Sequence, residues 1–288
     1  MKLVMTLLVR DEEDIVAANI DFHLAQGVDF IIAMDNLSVD RTPEILREYE
    51  RRGVLLTISQ TGDDYMQFRW VTEMARMASK HSGADWVINS DADEFWYPER
   101  GNLKDILGAV ASNVDAVKVE RTNFLPRTIE DGAFFADVMT TRERVSLNPL
   151  GNPLPCKVCH RALAAIEVEQ GSHSVRLSGR PLPTANVAIT ILHFPIRSYR
   201  QFANKIALGG AAYERNTELD PRVGVTWREL YKIWKKGELE AYYQKLMLSE
   251  AEIERGETEG RFIRDYRLRD FLGKGTFLNL TGEASGYR

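Results

Sequence analysis

The chain has 288 residues, of which 44% are hydrophobic and 27% are charged, as in ordinary globular proteins. Its formal net charge of −5 argues against a general nucleic-acid-binding surface. The apolar run at the start ends at Arg10, which is too soon for a membrane span, and it has no small-residue cleavage site. The chain contains only two cysteines, so no disulfide framework is expected. We therefore expect a soluble, cytoplasmic protein.

The first 125 residues alternate between two hydrophobic periods. Predicted strands lie at residues 3–9, 28–35, 54–59 and 85–95, and predicted helices lie at 14–26, 41–53 and 67–81. Thr42 is the expected cap of the second helix, because Pro43 suits the first helical position. Strand and helix in regular alternation predict an α/β fold with a mostly parallel, Rossmann-like sheet flanked by helices.

The rest of the chain is less regular. A helix and a strand are predicted at 103–112 and 115–124, and residues 126–185 suggest loops and short antiparallel strands. A strong strand follows at 186–194, and the chain is mostly helical from 198 onwards.

Polar residues follow the ends of the first four predicted strands. They are Arg10, Asp11 and Glu12, then Asp35 and Asn36, then Gln60 and Thr61, and finally Asp91, Asp93 and Glu94. In an open parallel sheet, ligands bind beyond the carboxyl ends of the strands. These side chains are therefore expected to share one rim and to form a site.

The last of these groups lies in the stretch VINSDADEFWYP, residues 87–98. Its crowded carboxylates repel one another, and a cation would relieve that repulsion. An Asp-x-Asp pair after a buried strand can hold Mg²⁺ or Mn²⁺ through oxygen and leave positions for phosphates. An EF-hand is excluded by Phe95 and Trp96, but a solvated acidic turn remains an alternative.

The segments LLVRDEEDIVAANIDFHLAQGVDFIIAMDNLSVDRT, ADWVINSDADEFW and ILHFPIRSYRQFANK together resemble bacterial glycosyltransferases of the family 2 type, including the subset close to family 92. The resemblance implies an A-type glycosyltransferase (GT-A) fold, a nucleotide-sugar donor, a divalent metal (Mn²⁺ or Mg²⁺) and inversion at the anomeric carbon. We expect a glycosyltransferase domain at 1–215, with its nucleotide-sugar half at 1–125 and its acceptor and metal half at 126–215. A helical extension is expected at 216–288.

The resemblance also assigns roles by position. Asp91 and Asp93 match the metal and donor motif, and Asp35 matches the carboxylate that contacts the nucleoside. His193 matches a late histidine that completes the metal shell, although a hydrogen-bonded core histidine is an equal alternative. The donor pocket is expected to include Arg10, Asp11, Glu12, Asp35, Asn36, Arg69, Asp91 and Arg197.

The catalytic base has no unambiguous candidate. An acceptor hydroxyl must lose its proton to a carboxylate or a histidine, and the family usually supplies an acidic pair after the metal motif. Glu169 and His173 in EVEQGSHSV are the preferred candidates, with Asp137 in FFADV as the alternative.

The sequence CKVCH at residues 156–160 matches the haem-attachment pattern. Haem attachment generally requires export, and a zinc site would need His160 and His173 because no further cysteine exists. We therefore interpret this segment as a structural strand.

The sequence thus favours a metal-dependent transferase that moves a sugar, most simply from a UDP-sugar, to a hydroxyl of a saccharide or a lipid-linked acceptor. A non-catalytic nucleotide-sugar-binding protein and a haloacid-dehalogenase-type phosphatase are the alternatives. The amphipathic tail from Trp227 to Leu272 favours internal packing, and it also fits a homodimer surface or contact with the inner face of the membrane.

Overall fold

The structure, a computed structural model, describes residues 1–63, 66–130 and 133–274. These residues form two compact units. The first unit comprises residues 1–61, 66–121 and 155–192, and the second comprises the remaining described residues. Each unit is described by itself below.

Within the described residues, the chain forms thirteen strands and ten α-helices. The strands are β1 (Leu3–Val9), β2 (Phe30–Asp35), β3 (Leu55–Ser59), β4 (Trp86–Asp91), β5 (Glu94–Pro98), β6 (Ala116–Asn123), β7 (Thr141–Glu143), β8 (Lys157–Arg161), β9 (Ile166–Val168), β10 (Val175–Leu177), β11 (Arg180–Pro181), β12 (Thr184–His193) and β13 (Phe262–Arg264). The helices are α1 (Val16–Ala25), α2 (Thr42–Arg51), α3 (Gln67–His81), α4 (Leu103–Gly108), α5 (Phe135–Val138), α6 (Tyr199–Arg215), α7 (Val225–Lys235), α8 (Leu239–Leu246), α9 (Glu250–Thr258) and α10 (Arg267–Leu272).

An eight-stranded sheet forms the centre of the first unit, in the order β3-β2-β1-β4-β8-β6-β12-β5. The first four of these strands are parallel, whereas β8 pairs with β4 and with β6 in antiparallel orientation. The predicted α/β class, with a large and mostly parallel sheet flanked by helices, is therefore confirmed.

The register of the parallel strands confirms the expected rim. Val9 pairs with Asp35, Asp35 pairs with Ser59, and Leu8 pairs with Asp91. The carboxyl ends of β1, β2, β3 and β4 therefore end at one edge of the sheet.

Apolar side chains of α3 hold one face of this sheet. Met74, Ala75 and Ala78 are fully buried in a cluster that also contains Val4 and Val87 from the two central strands. Strands covered on both faces are expected to be continuously apolar, as the sequences of β1 and β4 are.

Two local predictions were wrong. The predicted strand at 85–95 is two strands, β4 and β5, which are separated by Ala92 and Asp93. Thr42 is the first residue of α2 and not its cap: its backbone N–H donates to Asp40 Oδ1 at 2.8 Å. The Thr42 hydroxyl instead accepts a hydrogen bond from the Glu12 N–H at 2.9 Å.

The short link between β4 and β5 requires the sheet to curl. In a flat sheet, strands four places apart would be separated by about 19 Å. The step from Asp91 to Glu94 spans three Cα–Cα steps, which cover at most roughly 11 Å. The turn at Ala92 and Asp93 therefore connects two strands that a curled sheet brings together.

The second unit is mainly helical. Helices α6, α7 and α8 bury one cluster that includes Phe202, Leu230 and Tyr243. Within α6, a Cβ at Gly209 would lie 2.7 Å from the Trp227 ring and one at Gly210 would lie 2.4 Å from the Tyr231 side chain, so these glycines let α7 pack closely. In the described part of the chain, no helix has the length and apolar character needed to cross a membrane. A dimer surface or membrane contact of this region stays a prediction.

Candidate active site

Asp35 ends β2 at the rim and has an unsatisfied oxygen. Its Oδ1 is buried and accepts no hydrogen bond from the described residues. Burial raises the pKa of Asp35 above its ordinary value, a hydrogen bond from Ser38 opposes this, and the nearby charges of Asp11 and Asp40 add to the rise. A buried acceptor without a donor is costly, and a ligand hydroxyl or N–H would satisfy it.

The loops that follow β1 and β2 hold each other through side-chain-to-backbone hydrogen bonds. The Asp11 N–H donates to Ser38 Oγ at 2.9 Å, and the Val39 N–H donates to Asp11 Oδ1 at 2.8 Å. The Glu13 N–H donates to Asp40 Oδ2 at 3.0 Å. These reciprocal contacts fix the rim beside Asp35.

The other predicted donor-pocket residues lie in the same loops. Asn36 donates its N–H to the Val9 carbonyl at 2.9 Å and its side-chain amide to the Gln60 carbonyl at 3.3 Å. Glu12 is buried, and its carbonyl accepts the first hydrogen bonds of α1. Arg10 is half-buried directly after β1.

Three non-glycine residues at this edge have a left-handed backbone. Asp11 has φ +54°, Leu37 has φ +62° and Ser172 has φ +56°. Such conformations are costly for side chains with a Cβ and are often retained at binding and catalytic sites.

The acidic turn between β4 and β5 rests on α1. The Asn19 side-chain amide donates to the carbonyls of Ala92 and Glu94, at 3.0 and 2.8 Å. The His23 ring accepts from the Trp96 N–H at Nε2, 3.2 Å away, so its Nδ1–H donates to the Asn19 carbonyl at 2.8 Å. Burial lowers the pKa of His23 to about 4, and the ring is therefore neutral at pH 7.

A buried lysine neutralises the carboxylates of this turn. Lys157 Nζ, on β8, lies 2.6 Å from Asp91 Oδ2 and 3.2 Å from Glu94 Oε2. Arg121, on β6, contacts Glu94 Oε1 at 3.3 Å. Lys157 and Glu94 are almost fully buried, whereas the side chain of Asp91 is 35% exposed. Burial opposes the charge on Lys157, but Asp91 and Glu94 outweigh it and raise the pKa of Lys157 above its ordinary value.

These side chains do not fit the divalent ion that the sequence predicts at Asp91, Asp93 and His193. One oxygen of Asp91 already holds an ammonium group, and Asp93 is buried in the turn. Across residues 1–63, 66–130 and 133–274, no group of three or more histidine, cysteine, aspartate or glutamate side chains could hold a metal. The metal assignment stays a prediction that this arrangement does not favour.

The segment 169–173 lies beside the acidic turn. The Gln67 side chain, at the start of α3, donates to Asp91 Oδ1 at 3.4 Å and accepts from the Gly171 N–H at 3.2 Å. His173 Nδ1 lies 2.9 Å from the carbonyl of Cys156, the residue before Lys157. Gly171 and His173 are therefore linked to the surroundings of Asp91, whereas the Glu169 side chain contacts Ser174 and Arg176.

The pKa of each candidate is lowered, for different physical reasons. Glu169 accepts hydrogen bonds from Ser174 and Arg176, which lower its pKa. His173 is neutral at pH 7, because burial, together with the charges of Lys157 and Arg121, lowers its pKa to about 4. Since the Cys156 carbonyl can only accept, Nδ1 of His173 carries the proton and Nε2 has the lone pair.

The remaining predicted site residues are placed as follows. Arg69 is exposed on the first turn of α3, where it lines a surface groove with Arg76 and Lys80. In the second unit, His193 Nδ1 lies 2.7 Å from Asn123 Oδ1, and Arg197 is buried and donates to the Phe194 carbonyl at 2.9 Å. Asp137 is exposed on α5.

The CKVCH segment is a strand, as predicted. Its residues 157–160 lie in β8, Cys156 directly precedes that strand, and Cys156 and Cys159 are both free thiols. Burial raises the pKa of the Cys159 thiol far above its ordinary value, and it lowers that of His160 to about 4. The residue of this segment that reaches the site is Lys157, which the sequence analysis missed. A lysine inside a buried strand requires carboxylate partners, so its position in the apolar segment could have indicated that it pairs with the acidic turn.

Comparisons with known proteins agree with the resemblance. Residues 5–137, just under half of the chain, match the family model described as glycosyltransferase family 92. This match confirms the predicted likeness to family 2-type glycosyltransferases close to family 92. No curated protein sequence matches the chain.

Solved glycosyltransferases show a weaker structural likeness. S. aureus TarS 1–349 in complex with UDP-GlcNAc has 12% identity over 76% of this chain and 68% of its own, with a TM-score of 0.40. A further S. aureus TarS structure has 13% identity over 76% of this chain and 41% of its own, with a TM-score of 0.41. Glucosyl-3-phosphoglycerate synthase from Mycobacterium tuberculosis, in complex with Mn²⁺, UDP-glucose and phosphoglyceric acid, has 18% identity over 42% of this chain and 44% of its own, with a TM-score of 0.30.

Proposed function

We propose that this chain, a glycosyltransferase related to family 92 through residues 5–137, transfers a sugar from a nucleotide-sugar, with UDP as the nucleotide, to an acceptor hydroxyl with inversion. The observation that carries the donor site is Asp35: its buried Oδ1 has no hydrogen-bond donor within the described residues, at the edge where parallel sheets bind ligands. The ribose hydroxyls or the base N–H of a nucleoside would supply that donor. The family match favours a transferase over a phosphatase.

The rim loops supply the rest of the nucleoside pocket in this proposal. Arg10, Asp11, Glu12 and Asn36 surround the end of β2, and their loops are fixed by the hydrogen bonds between Asp11 and Ser38. A pocket that is held in place before binding loses little conformational entropy when the ligand arrives.

His173 is the proposed base. Its unprotonated Nε2 can accept the proton of the acceptor hydroxyl as that oxygen attacks the anomeric carbon and the nucleoside diphosphate leaves. Gly171 packs against this ring, because a Cβ at that position would lie 2.4 Å from Nε2. Glu169 already accepts from Ser174 and Arg176 and is the weaker candidate.

Thermal unfolding with UDP, GDP, CMP and their sugar conjugates tests the donor site. One nucleotide should raise the melting temperature, since a ligand far above its Kd stabilises by a few kcal/mol. Asp35→Asn should weaken this shift, whereas Asp220→Asn, at an exposed loop position, should not. If none of these nucleotides shifts the wild-type melting temperature, the proposal fails.

The base is tested separately with the nucleotide-sugar that binds. His173→Ala should lower kcat by about 10²–10⁴-fold and leave donor binding intact. Glu169→Gln is the matched variant in the same segment and should retain most of the activity. Loss of activity in Glu169→Gln with retention in His173→Ala would reverse the assignment.

A further inference from the structure

The acidic turn between β4 and β5 bears on how the negative charge of a bound diphosphate would be neutralised. Diphosphate groups need positive charge around them, and the carboxylates at the end of β4 were expected to recruit it as a metal ion. In the structure these carboxylates already contact two positively charged side chains, Lys157 and Arg121.

The charges of the four side chains that form these ion pairs balance. Asp91 and Glu94 contribute two negative charges, and Lys157 and Arg121 contribute two positive ones. The side chains of Lys157 and Glu94 are 1% and 0% exposed, so solvent screens this pairing poorly. Carboxylates that are already paired in this way attract a divalent cation much less than an uncompensated carboxylate pair does.

The geometry also opposes a metal at Asp91. Mg²⁺ or Mn²⁺ bound to Oδ2 at about 2.1 Å would stand roughly 4 Å from the ammonium group that the same oxygen accepts at 2.6 Å. The other oxygen, Oδ1, faces the Gln67 amide at 3.4 Å. Both oxygens therefore face hydrogen-bond donors of the protein itself.

We propose that Lys157 is the resident cation of this site, that it occupies the place between Asp91 and Glu94 that a divalent ion would otherwise take, and that a nucleoside diphosphate binds beside it without a metal. The last part rests on the proposed function. The first part concerns only the side chains of β4, β5 and β8, and it can be tested without a nucleotide.

The first measurement is the binding of Mn²⁺ alone to the full chain, with electron paramagnetic resonance as the method of detection. Wild type should bind Mn²⁺ no more tightly than Asp91→Asn. Lys157→Met, which removes the ammonium group and keeps the length of the side chain, should bind Mn²⁺ at least tenfold more tightly than wild type. Lys118→Met is the matched control, because Lys118 is exposed and lies opposite Val158 on the neighbouring strand.

Two results would overturn the inference at this stage. One is wild-type Mn²⁺ binding that Asp91→Asn abolishes. The other is a folded Lys157→Met variant that binds Mn²⁺ no better than wild type. If Lys157→Met does not fold, the comparison of wild type with Asp91→Asn decides the question alone.

The second measurement separates this inference from the proposed function. The Kd of UDP for wild type should differ by less than threefold between EDTA and Mn²⁺. A Kd that rises more than tenfold in EDTA overturns the inference and leaves the glycosyltransferase proposal in place. If UDP binds under neither condition, the donor-site proposal fails, and the measurement with Mn²⁺ alone still decides the role of Lys157.

Discussion

Two strand ends of the same sheet carry an aspartate, and the chain treats them differently. Asp35 ends β2 with a buried oxygen that no described residue satisfies, and burial raises its pKa. Asp91 ends β4, and its Oδ2 receives a hydrogen bond from a buried lysine at 2.6 Å. The first carboxylate keeps one oxygen without a donor among the described residues, whereas the second is paired with a lysine of the same chain.

The difference shows that two aspartates at equivalent strand ends can have different roles, one mainly in ligand binding and the other mainly in stability. A polar group left without a partner lowers stability and is retained where a ligand compensates for it. A buried charge with several partners is instead costly to disturb. Changes at the acidic turn should therefore mainly alter stability, and changes at Asp35 should mainly alter binding.

The largest expected effect comes from removing one charge of the buried cluster. Lys157→Met leaves Asp91 and Glu94 without their ammonium partner and should lower the free energy of unfolding by about 3–5 kcal/mol, as measured by urea denaturation. The double variant Lys157→Met/Glu94→Gln should recover part of that loss, because it removes the buried partner charge as well. A double variant that loses the sum of both single effects would show that the two groups do not interact.

The support under the turn should have the next largest effect. Asn19→Ala leaves the buried carbonyls of Ala92 and Glu94 without their donor, and we expect a loss of about 1–3 kcal/mol in the free energy of unfolding. Ser38→Ala, in the rim loops, should lose less because it leaves N–H groups nearer to solvent. If both variants lose the same free energy of unfolding, the acidic turn does not depend on its hydrogen bonds more than the rim loops do.

Lowering the pH should change the free energy of unfolding in opposite directions through the buried histidines and through Asp35. His23 and His160 have their pKa lowered from 6.5 to about 4 by burial, so their unfolded forms bind protons first as the pH falls. The stability that they contribute above pH 6.5 should be lost between pH 6.5 and 4, at up to about 1.4 kcal/mol per pH unit for each histidine. Asp35, with a raised pKa, contributes in the other direction, because the folded state takes up its proton more readily than the unfolded state does.

Urea unfolding at pH 7, 6 and 5 measures this slope. His160→Asn should make it shallower, whereas His81→Gln, at the exposed end of α3, should leave it unchanged. A wild-type stability that does not fall in this range would contradict the assignment of neutral buried histidines.

The smallest expected change in stability is at Asp35. Asp35→Asn keeps the shape of the side chain and removes a buried charge, so the free energy of unfolding should stay unchanged or rise by up to about 1 kcal/mol. The same variant should bind UDP at least tenfold more weakly. A clear loss of stability together with unchanged UDP binding would assign Asp35 to the fold and not to the donor site.

The parallel sheet and its rim could be predicted because they depend on local patterns. Each of the first strands is a short apolar run followed by polar residues, and the register places Asp35 and Asp91 at the same edge. The break between β4 and β5 was not predictable in the same way. Ala92 and Asp93 form the turn without glycine or proline, and Phe95 and Trp96 continue the apolar pattern.

The neutralisation of the acidic turn depends on contacts that are distant in sequence. Lys157 follows Asp91 by 66 positions and reaches it because β8 pairs with β4 in antiparallel orientation. Asn19 precedes Ala92 by 73 positions and meets it through the packing of α1. Local periodicity carries no information on which strand becomes the neighbour of another, so the sequence indicated that a cation was needed but not that a lysine supplies it.

The position of β8 has a consequence for synthesis of the protein. β8 lies between β4 and β6 in the sheet, although it follows both of them in the chain. A nascent chain that has left the ribosome only as far as β6 has a vacant place in its sheet, with Glu94 still lacking its ammonium partner. The first 125 residues should therefore depend on the arrival of β8 and β12 to complete the sheet, and a boundary drawn at that point for expression would divide the first compact unit.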